Sequence, residues 1–269
     1  MRTAAARSRE RLDRLLVARG LAPSREQAAR LILAGRVFVD ARRVDKAGRQ
    51  VDVGAAVEVK ARPPYVSRGG EKLAHALDAF GISVAGRTCL DVGASTGGFT
   101  HCLLSRGAAR VYAVDVGRGQ LDAGLRADPR VMLMEKTNAR TLIAAAFPVE
   151  PDLATVDVAF ISLEKVLPAV MGVLANPGEA VLLVKPQFEV GRGLVGKGGV
   201  VRDPVRHRAV LGRLARFAIL HGWHVLGLAA SPLTGPKGNR EFFLYLSRGG
   251  RTVPELDALI AKVTEGANT

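Results

Sequence analysis

Cysteine is nearly absent: Cys89 and Cys102 are the two in 269 residues. Two thiols build no disulfide framework, and they lack the ligand spacing of a metal site, so no metal is expected. Long apolar runs are missing as well. Nothing approaches the roughly 18 uninterrupted apolar residues of a membrane-spanning helix. The opening MRTAAARSRERLDRLL is rich in arginine and alanine, as a transit peptide would be. It has no apolar signal core, however, and its leucines already belong to a folding helix, so a cytoplasmic location is expected. Acidic residues are scarce too. Asp+Glu number 25 against 39 Lys+Arg, leaving a formal charge of +14. That deficit argues for a polyanionic partner, nucleic acid before membrane.

What is present suffices for one large domain and a small one, with 48% hydrophobic residues to fill a core. The positive charge is uneven. Residues 1–70 hold 16 Lys/Arg and 7 Asp/Glu, a net of +9, while the remaining 199 residues carry +5. Within the basic end, RERLDRLLVARG places Leu12, Leu15 and Leu16 on one helical face, and Gly20 ends the helix. SREQAARLILAG repeats the design with Ser24 as cap and Gly35 as stop. Two short strands, RVFVD and AVEVK, follow. Such a unit buries one small core and leaves Arg25, Arg30, Arg36, Arg42 and Arg43 outside. The wording SREQAARLILAGRVFVD resembles the small RNA-binding domain named after the fourth small-subunit ribosomal protein. That resemblance implies RNA binding through the second helix and the loop after it.

The paired prolines of ARPPYVS, residues 61–67, favour extended chain and predict a linker between a 1–60 domain and a 68–269 domain. Beyond it, strands predicted at RTCLDV, RVYAVD, RVMLME, DLATVD and AVLLVK alternate with helices, as in a parallel sheet covered on both faces. Asp203 and Pro204 suit the start of a helix running to His221. HVLGLAA and EFFLYLSR are then joined by too short a loop for a helical crossover, which predicts an antiparallel pair. An α/β, Rossmann-like sheet of parallel strands with a terminal antiparallel pair is the pattern of methyltransferases that use S-adenosylmethionine.

The turn after the first of these strands reads LDVGASTGGFT. Its glycines permit positive φ and close approach of a ligand to the backbone. Glycine loops of this kind also hold dinucleotides, but the spacing here is not G-x-G-x-x-G. Asp91 at the strand end suits a cationic ligand. Asp115, 24 residues later, ends the next strand, where a carboxylate accepts ribose hydroxyls. The cofactor candidates are therefore Asp91, Gly93, Ala94, Ser95, Gly97, Gly98, Phe99, Asp115, Val116 and Asn138, with S-adenosylmethionine as the ligand.

The fifth strand, AVLLVK, ends on a lysine. Taken alone, Lys185 reads as a side chain snorkelling past a strand end. Sites in doubly wound sheets lie beyond the carboxyl ends of the strands, however, and Asp157 ends the fourth strand. Glu241 starts the last strand, whose antiparallel direction brings it to the same edge. Lys72, in the helix before the sheet, can reach over. The segments SRGGEKL, DVGASTGGFT, DVAFISL, LVKPQFEVG, GGVVRDP and GNREFFLYL resemble the TlyA family, often called haemolysins, with a catalytic domain similar to FtsJ-type ribose methyltransferases. The resemblance covers nearly the whole chain. It implies a catalytic tetrad of Lys72, Asp157, Lys185 and Glu241 that methylates the 2′-oxygen of cytidine in ribosomal RNA, in the 30S and/or 50S subunit. RTVPELDALIAKV predicts an added C-terminal helix; longer termini in the family go with both subunits.

A ribose hydroxyl is a poor nucleophile until its proton is withdrawn. A lysine accepts a proton only where burial or neighbouring positive charge favours the neutral amine. Lys185 is the expected base, with the two carboxylates orienting the amines. RNA would approach across Arg68, Lys136 and Arg140. Phe160 and Phe188, each three residues past a tetrad member, either stack on a flipped base or belong to the core. The glycine-rich basic segment 189–201 is expected to close over substrate. A monomer is expected. The alternatives are a methyltransferase of another RNA such as tRNA, and a membrane-active haemolysin.

Overall fold

A computed structural model describes residues 8–61, 63–191 and 193–265. The first seven residues, Arg62 of the predicted linker and Arg192 of the glycine-rich segment lie outside the described residues. The chain divides into two compact units, Met1–Pro63 and Pro64–Thr269.

In the first unit, β1 (Arg9–Arg11) leads into α1 (Leu12–Ala18) and α2 (Arg25–Leu33). β2 (Val37–Val39), β3 (Arg42–Arg43), β4 (Gln50–Asp52) and β5 (Val57–Val59) follow. The predicted leucine face forms the core: Leu12, Leu15 and Leu16 pack with Ala28, Ile32, Val37, Val44 and Val51. Ser24 Oγ accepts from Gln27 N–H at 3.2 Å, and Gly20 and Gly35 take φ of +68° and +67° to end the helices. β2 pairs with β3 and β5, while β1 pairs antiparallel with β4. The β1–β4 ribbon is not legible in sequence, because RER shows no apolar alternation.

Four of the five arginines are exposed and Arg36 is half-buried, and two of the five reach a buried side chain or a backbone carbonyl of the unit itself. Arg25 Nη2 reaches the buried Asp13 carboxylate at 3.1 Å, and Arg36 Nε donates to the Lys60 carbonyl at 2.8 Å and is half-buried. Arg30 pairs with Glu26 on the surface of α2. Arg42 and Arg43 are exposed.

The second unit begins with α3 (Arg68–Phe80) and then alternates β6 (Thr88–Val92), α4 (Gly98–Ser105), β7 (Arg110–Val114), α5 (Ala123–Ala127) and β8 (Val131–Met134). β9 (Leu153–Val156), α6 (Leu167–Val173), β10 (Glu179–Val184), α7 (Pro186–Glu189) and α8 (Pro204–Leu220) come next. β11 (His224–Ala230), β12 (Phe242–Ser247) and α9 (Leu256–Glu265) complete it. The seven strands lie in the order β11-β12-β10-β9-β6-β7-β8. β12 runs antiparallel to both neighbours; the other pairings are parallel.

β10 shows why its sequence is apolar throughout. Ala180, Leu182 and Val184 face one core with α6, α8 and α9, while Val181 and Leu183 face the other with α3, α4 and α5. Successive side chains of a strand alternate faces, so a sheet covered on both sides needs every position apolar. Each fully buried leucine there contributes roughly 1.5–3 kcal/mol. Asp203 Oδ1 accepts from Val205 N–H at 2.9 Å, capping α8 as predicted.

The linker is shorter than 61–67. Tyr65 and Val66 pack against the core beneath α3, and Val66 N–H donates to His101 Nδ1 at 3.1 Å. The Tyr65 ring occupies the space over Gly70, where a Cβ would lie 2.2 Å from it. YVS therefore belongs to the second unit.

Candidate active site at the carboxyl edge of the sheet

The glycine loop after β6 is shaped mainly by protein contacts. A Cβ on Gly93 (φ +86°) would lie 2.2 Å from the Asp157 carbonyl oxygen, and one on Gly98 would lie 2.1 Å from Ser67 Oγ. At Gly97 it would meet Leu125 at 2.3 Å. These glycines let β9, α3 and α5 close on the loop. Asp91 departs furthest from expectation. Instead of facing a cation it is fully buried, with Oδ2 accepting from Thr100 Oγ1 at 2.6 Å and Oδ1 from Thr155 Oγ1 at 3.3 Å. Burial pushes its carboxyl up to about 7. Phe99 is buried near Phe243, with ring centroids 6.5 Å apart, and Ala94 is buried too.

The edge of the sheet carries a cleft of about 1240 Å³. Gly93, Ser95, Asp115, Val116 and Asn138 line it; Asp91, Ala94, Gly97, Gly98 and Phe99 support the loop from behind. Asp115 Oδ2 accepts from Ser95 N–H at 2.8 Å and Oδ1 from Gly117 N–H at 2.7 Å. Each carboxylate oxygen keeps a further lone pair. Asn138 Oδ1 already accepts from Arg140 N–H at 3.1 Å, so its amide donors are what it has to offer a ligand.

The four tetrad candidates form two ion pairs. Lys72 Nζ donates to Glu241 Oε2 at 2.6 Å, and Lys185 is paired with Asp157. Val184 and Phe242 are the last partners of the β10–β12 ladder, so Lys185 and Glu241 stand side by side one step beyond it. Asp157 follows β9, its backbone against Gly93, and lines the cleft. Glu241 is buried, and its Oε1 has no hydrogen-bond partner among the described residues. Gly235 makes room for that oxygen; a Cβ there would lie 2.1 Å from it. Burying charges costs several kcal/mol per ion before pairing, so two such pairs are poor devices for stability alone.

Phe160 answers the question of core or surface. It is 90% exposed at φ +63°, lines the cleft, and meets Phe188 with centroids 4.8 Å apart. Arg140 also lines the cleft, and Lys136 is exposed. Arg68 is engaged, donating to the Thr234 carbonyl at 3.1 Å. Among the described residues no group of His, Cys, Asp and Glu could hold a metal ion. No helix among them is long and apolar enough to cross a membrane.

A model of the FtsJ-like methyltransferase family matches residues 65–248, and one of the S4 domain matches residues 10–57. The chain belongs to the FtsJ-like methyltransferase family. It is 54% identical, over 88% of its length and 90% of the relative's, to the Mycobacterium tuberculosis protein named 16S/23S rRNA (cytidine-2'-O)-methyltransferase TlyA. It is 42% identical to Hemolysin A of Brachyspira hyodysenteriae over 87% of this chain and 98% of that one. A solved hemolysin-named protein of Streptococcus thermophilus matches at 42% identity and a TM-score of 0.74, covering 97% of this chain and 96% of that one.

The FtsJ-like domain also uses polar residues that the sequence did not single out. Asn239 Oδ1 accepts from Val201 N–H at 3.1 Å and its Nδ2 donates to the Gly199 carbonyl at 2.9 Å. His207 Nε2 bonds the Val201 carbonyl at 2.9 Å. The end of the glycine-rich segment is thus anchored beside Glu241 instead of hanging free. Glu189 is buried with three side-chain and backbone partners. Asn239 and Glu189 were available in the sequence only as polar residues two and four positions from a tetrad member, and His207 carried no such signal.

Proposed function

We propose that this chain methylates the 2′-oxygen of a cytidine in ribosomal RNA, presented in the 30S and 50S subunits, with S-adenosylmethionine as methyl donor. The observation that carries the reading is the pair of lysine–carboxylate contacts at the strand ends, one of them backed directly by the glycine loop. When bound, the cofactor supplies an electrophilic methyl group on a sulfonium. The residues present fit it: Asp115 has lone pairs for the ribose hydroxyls, Asn138 has amide donors for the adenine, and Gly93, Ser95 and Val116 form the cleft wall. Lys185 Nζ holds the target hydroxyl and receives its proton. Asp157 orients the amine and stabilises the ammonium that results. Lys72, held by Glu241, supplies a second amine at the same edge of the sheet.

Arg140 and Lys136 would draw RNA to the cleft, with Phe160 and Phe188 offering ring faces to a base. The S4 domain, with Arg30, Arg42 and Arg43 on its surface, would supply most of the affinity for structured ribosomal RNA. The enzyme acts as a monomer in the cytoplasm, without a membrane. Mapping 2′-O-methyl positions on ribosomal RNA from cells with and without this protein tests the proposal. Loss of cytidine methylation supports it; an unchanged ribosomal map with a changed tRNA map sinks it. The haemolysin name of some relatives predicts dye release from liposomes by purified protein, and none is expected.

A further inference from the structure

Glu189 is a buried carboxylate of the second unit that the proposed chemistry does not use. It closes α7, four residues after Lys185 and one after Phe188. Its Oε1 accepts from Leu163 N–H at 2.8 Å, and its Oε2 accepts from Ser162 Oγ at 2.8 Å and from Arg213 Nη2 at 2.9 Å. Arg213 also donates to the Glu189 carbonyl at 2.9 Å. Ser162 and Leu163 follow Phe160 by two and three residues. One side chain therefore ties the segment after β9, which carries Asp157 and Phe160, to the segment after β10, which carries Lys185 and Phe188.

The tie has an evident object. Phe160 sits at φ +63°, a region that residues other than glycine rarely occupy and that tends to mark functional sites. Its ring is 90% exposed yet rests against Phe188. Nothing in hydrophobic burial favours leaving a phenylalanine there. A flat apolar face at a cleft rim, braced by a second ring, suits a nucleobase, since every base presents a π-face. Burial pushes the Glu189 carboxyl above its usual range, while the bonds from Leu163 N–H and Ser162 Oγ and the Arg213 charge pull it back down.

We infer that Glu189 is a positioning residue: it holds Phe160 and Phe188 together as a shelf for a nucleobase at the rim of the cleft. This rests on the RNA methyl-transfer reading for its ligand, which is either the target base or the adenine of the cofactor.

A double-mutant cycle of Glu189→Ala and Phe160→Ala tests it, with two measurements on each folded variant. Calorimetry reads the Kd for S-adenosylmethionine on protein alone, and methyl transfer to ribosomal subunits reads KM and kcat. Each single variant should lose about tenfold, in KM for subunits if the shelf takes the target base, or in cofactor Kd if it takes adenine. The double variant should lose scarcely more than one single variant, because Glu189 acts through Phe160. Glu189→Gln, which keeps an oxygen for Leu163 N–H, should lose less than alanine. If Glu189→Ala does not fold, the glutamine variant completes the cycle. Effects that multiply independently, or a Glu189 variant that changes neither quantity, overturn the inference. Should the wild-type protein transfer no methyl group to RNA, the functional reading fails separately; a cofactor Kd unchanged in both single variants then overturns the shelf as well.

Discussion

Two buried aspartates, one in each unit, titrate in opposite directions. Asp13, in the S4 domain, is held at about 2 by its hydrogen bond with Arg11, with Arg25 adding to the effect. Asp91, in the FtsJ-like domain, is pushed up to about 7 by burial and is met by the Thr100 and Thr155 hydroxyls and the Thr100 backbone, with no cation among its hydrogen-bond partners in the described residues. The small domain neutralises its buried carboxylate with guanidinium groups taken from its basic surface. The catalytic domain pairs Lys72 with Glu241 and Lys185 with Asp157, and leaves Asp91 to neutral threonine groups. The ion pairs differ in the same way. Arg30–Glu26 is 72% and 76% exposed, a pair worth little to stability and easily exchanged for a phosphate contact. Lys72–Glu241 is 11% and 0% exposed, and breaking it strands a buried charge. Arg30–Glu26 in the first unit is open to exchange; Lys72–Glu241 in the second is held in place.

The sharpest way to break this contrast is Lys185→Ala. Loss of a positioned base should lower methyl transfer by roughly a hundred- to ten-thousandfold while cofactor affinity stays nearly unchanged. Appreciable single-turnover activity in the folded variant would return Lys185 to the role of a snorkelling strand end.

Asp91 gives the next effect. Between pH about 4 and about 7 the folded state keeps a proton on Asp91 that the unfolded chain releases, so stability falls as pH rises through that window. The full shift corresponds to at most about 4 kcal/mol. Asp91→Asn should be flatter than wild type in denaturant titrations across that range. Asp13 has the opposite sign: its contribution is present above pH about 4 and is lost as pH falls through about 2. Parallel pH profiles for the Asp91→Asn and wild-type proteins would refute the assignment.

Asp115→Ala should weaken S-adenosylmethionine binding by roughly 2–4 kcal/mol, the worth of charge-assisted hydrogen bonds to two hydroxyls, less any loop rearrangement. Unchanged calorimetric affinity would take Asp115 out of the site.

The smallest effect per residue belongs to the first unit. Replacing Arg30, Arg42 and Arg43 should flatten the log–log salt dependence of RNA binding by about 0.7–0.9 for each phosphate no longer neutralised. Arg36 is a poor choice for this test, because its guanidinium holds the Lys60 carbonyl. A fragment lacking residues 1–62 should fold and bind cofactor yet fail on ribosomal subunits; equal activity would remove the S4 domain from recognition.

The elements were largely legible in the residues. Strand alternation, the Ser24 and Asp203 caps, and the stops at Gly20 and Gly35 depend on neighbours within a few positions, and the structure has all of them. Sheet order was legible in part, because a short loop before β12 allows only an antiparallel neighbour. That direction brings Glu241 to the edge where Asp157 and Lys185 end their strands. Side-chain depth was not legible. Asp91 and Asp115 both stand at strand ends beside glycines, yet Asp91 lies inside the ladder, with Ala113 and Thr155 as strand partners and Thr100 above it. Asp115 is one residue past the end of β7 and faces the cleft. Likewise Phe99 is core, Phe188 half-buried and Phe160 exposed. Nothing in the short-range pattern separates them, because burial is set by residues far away along the chain. Local sequence determined the elements and which residues could carry chemistry. Only the packed sheet decided which lysine holds which carboxylate, and which aspartate faces the cleft, because both are set by contacts between distant segments.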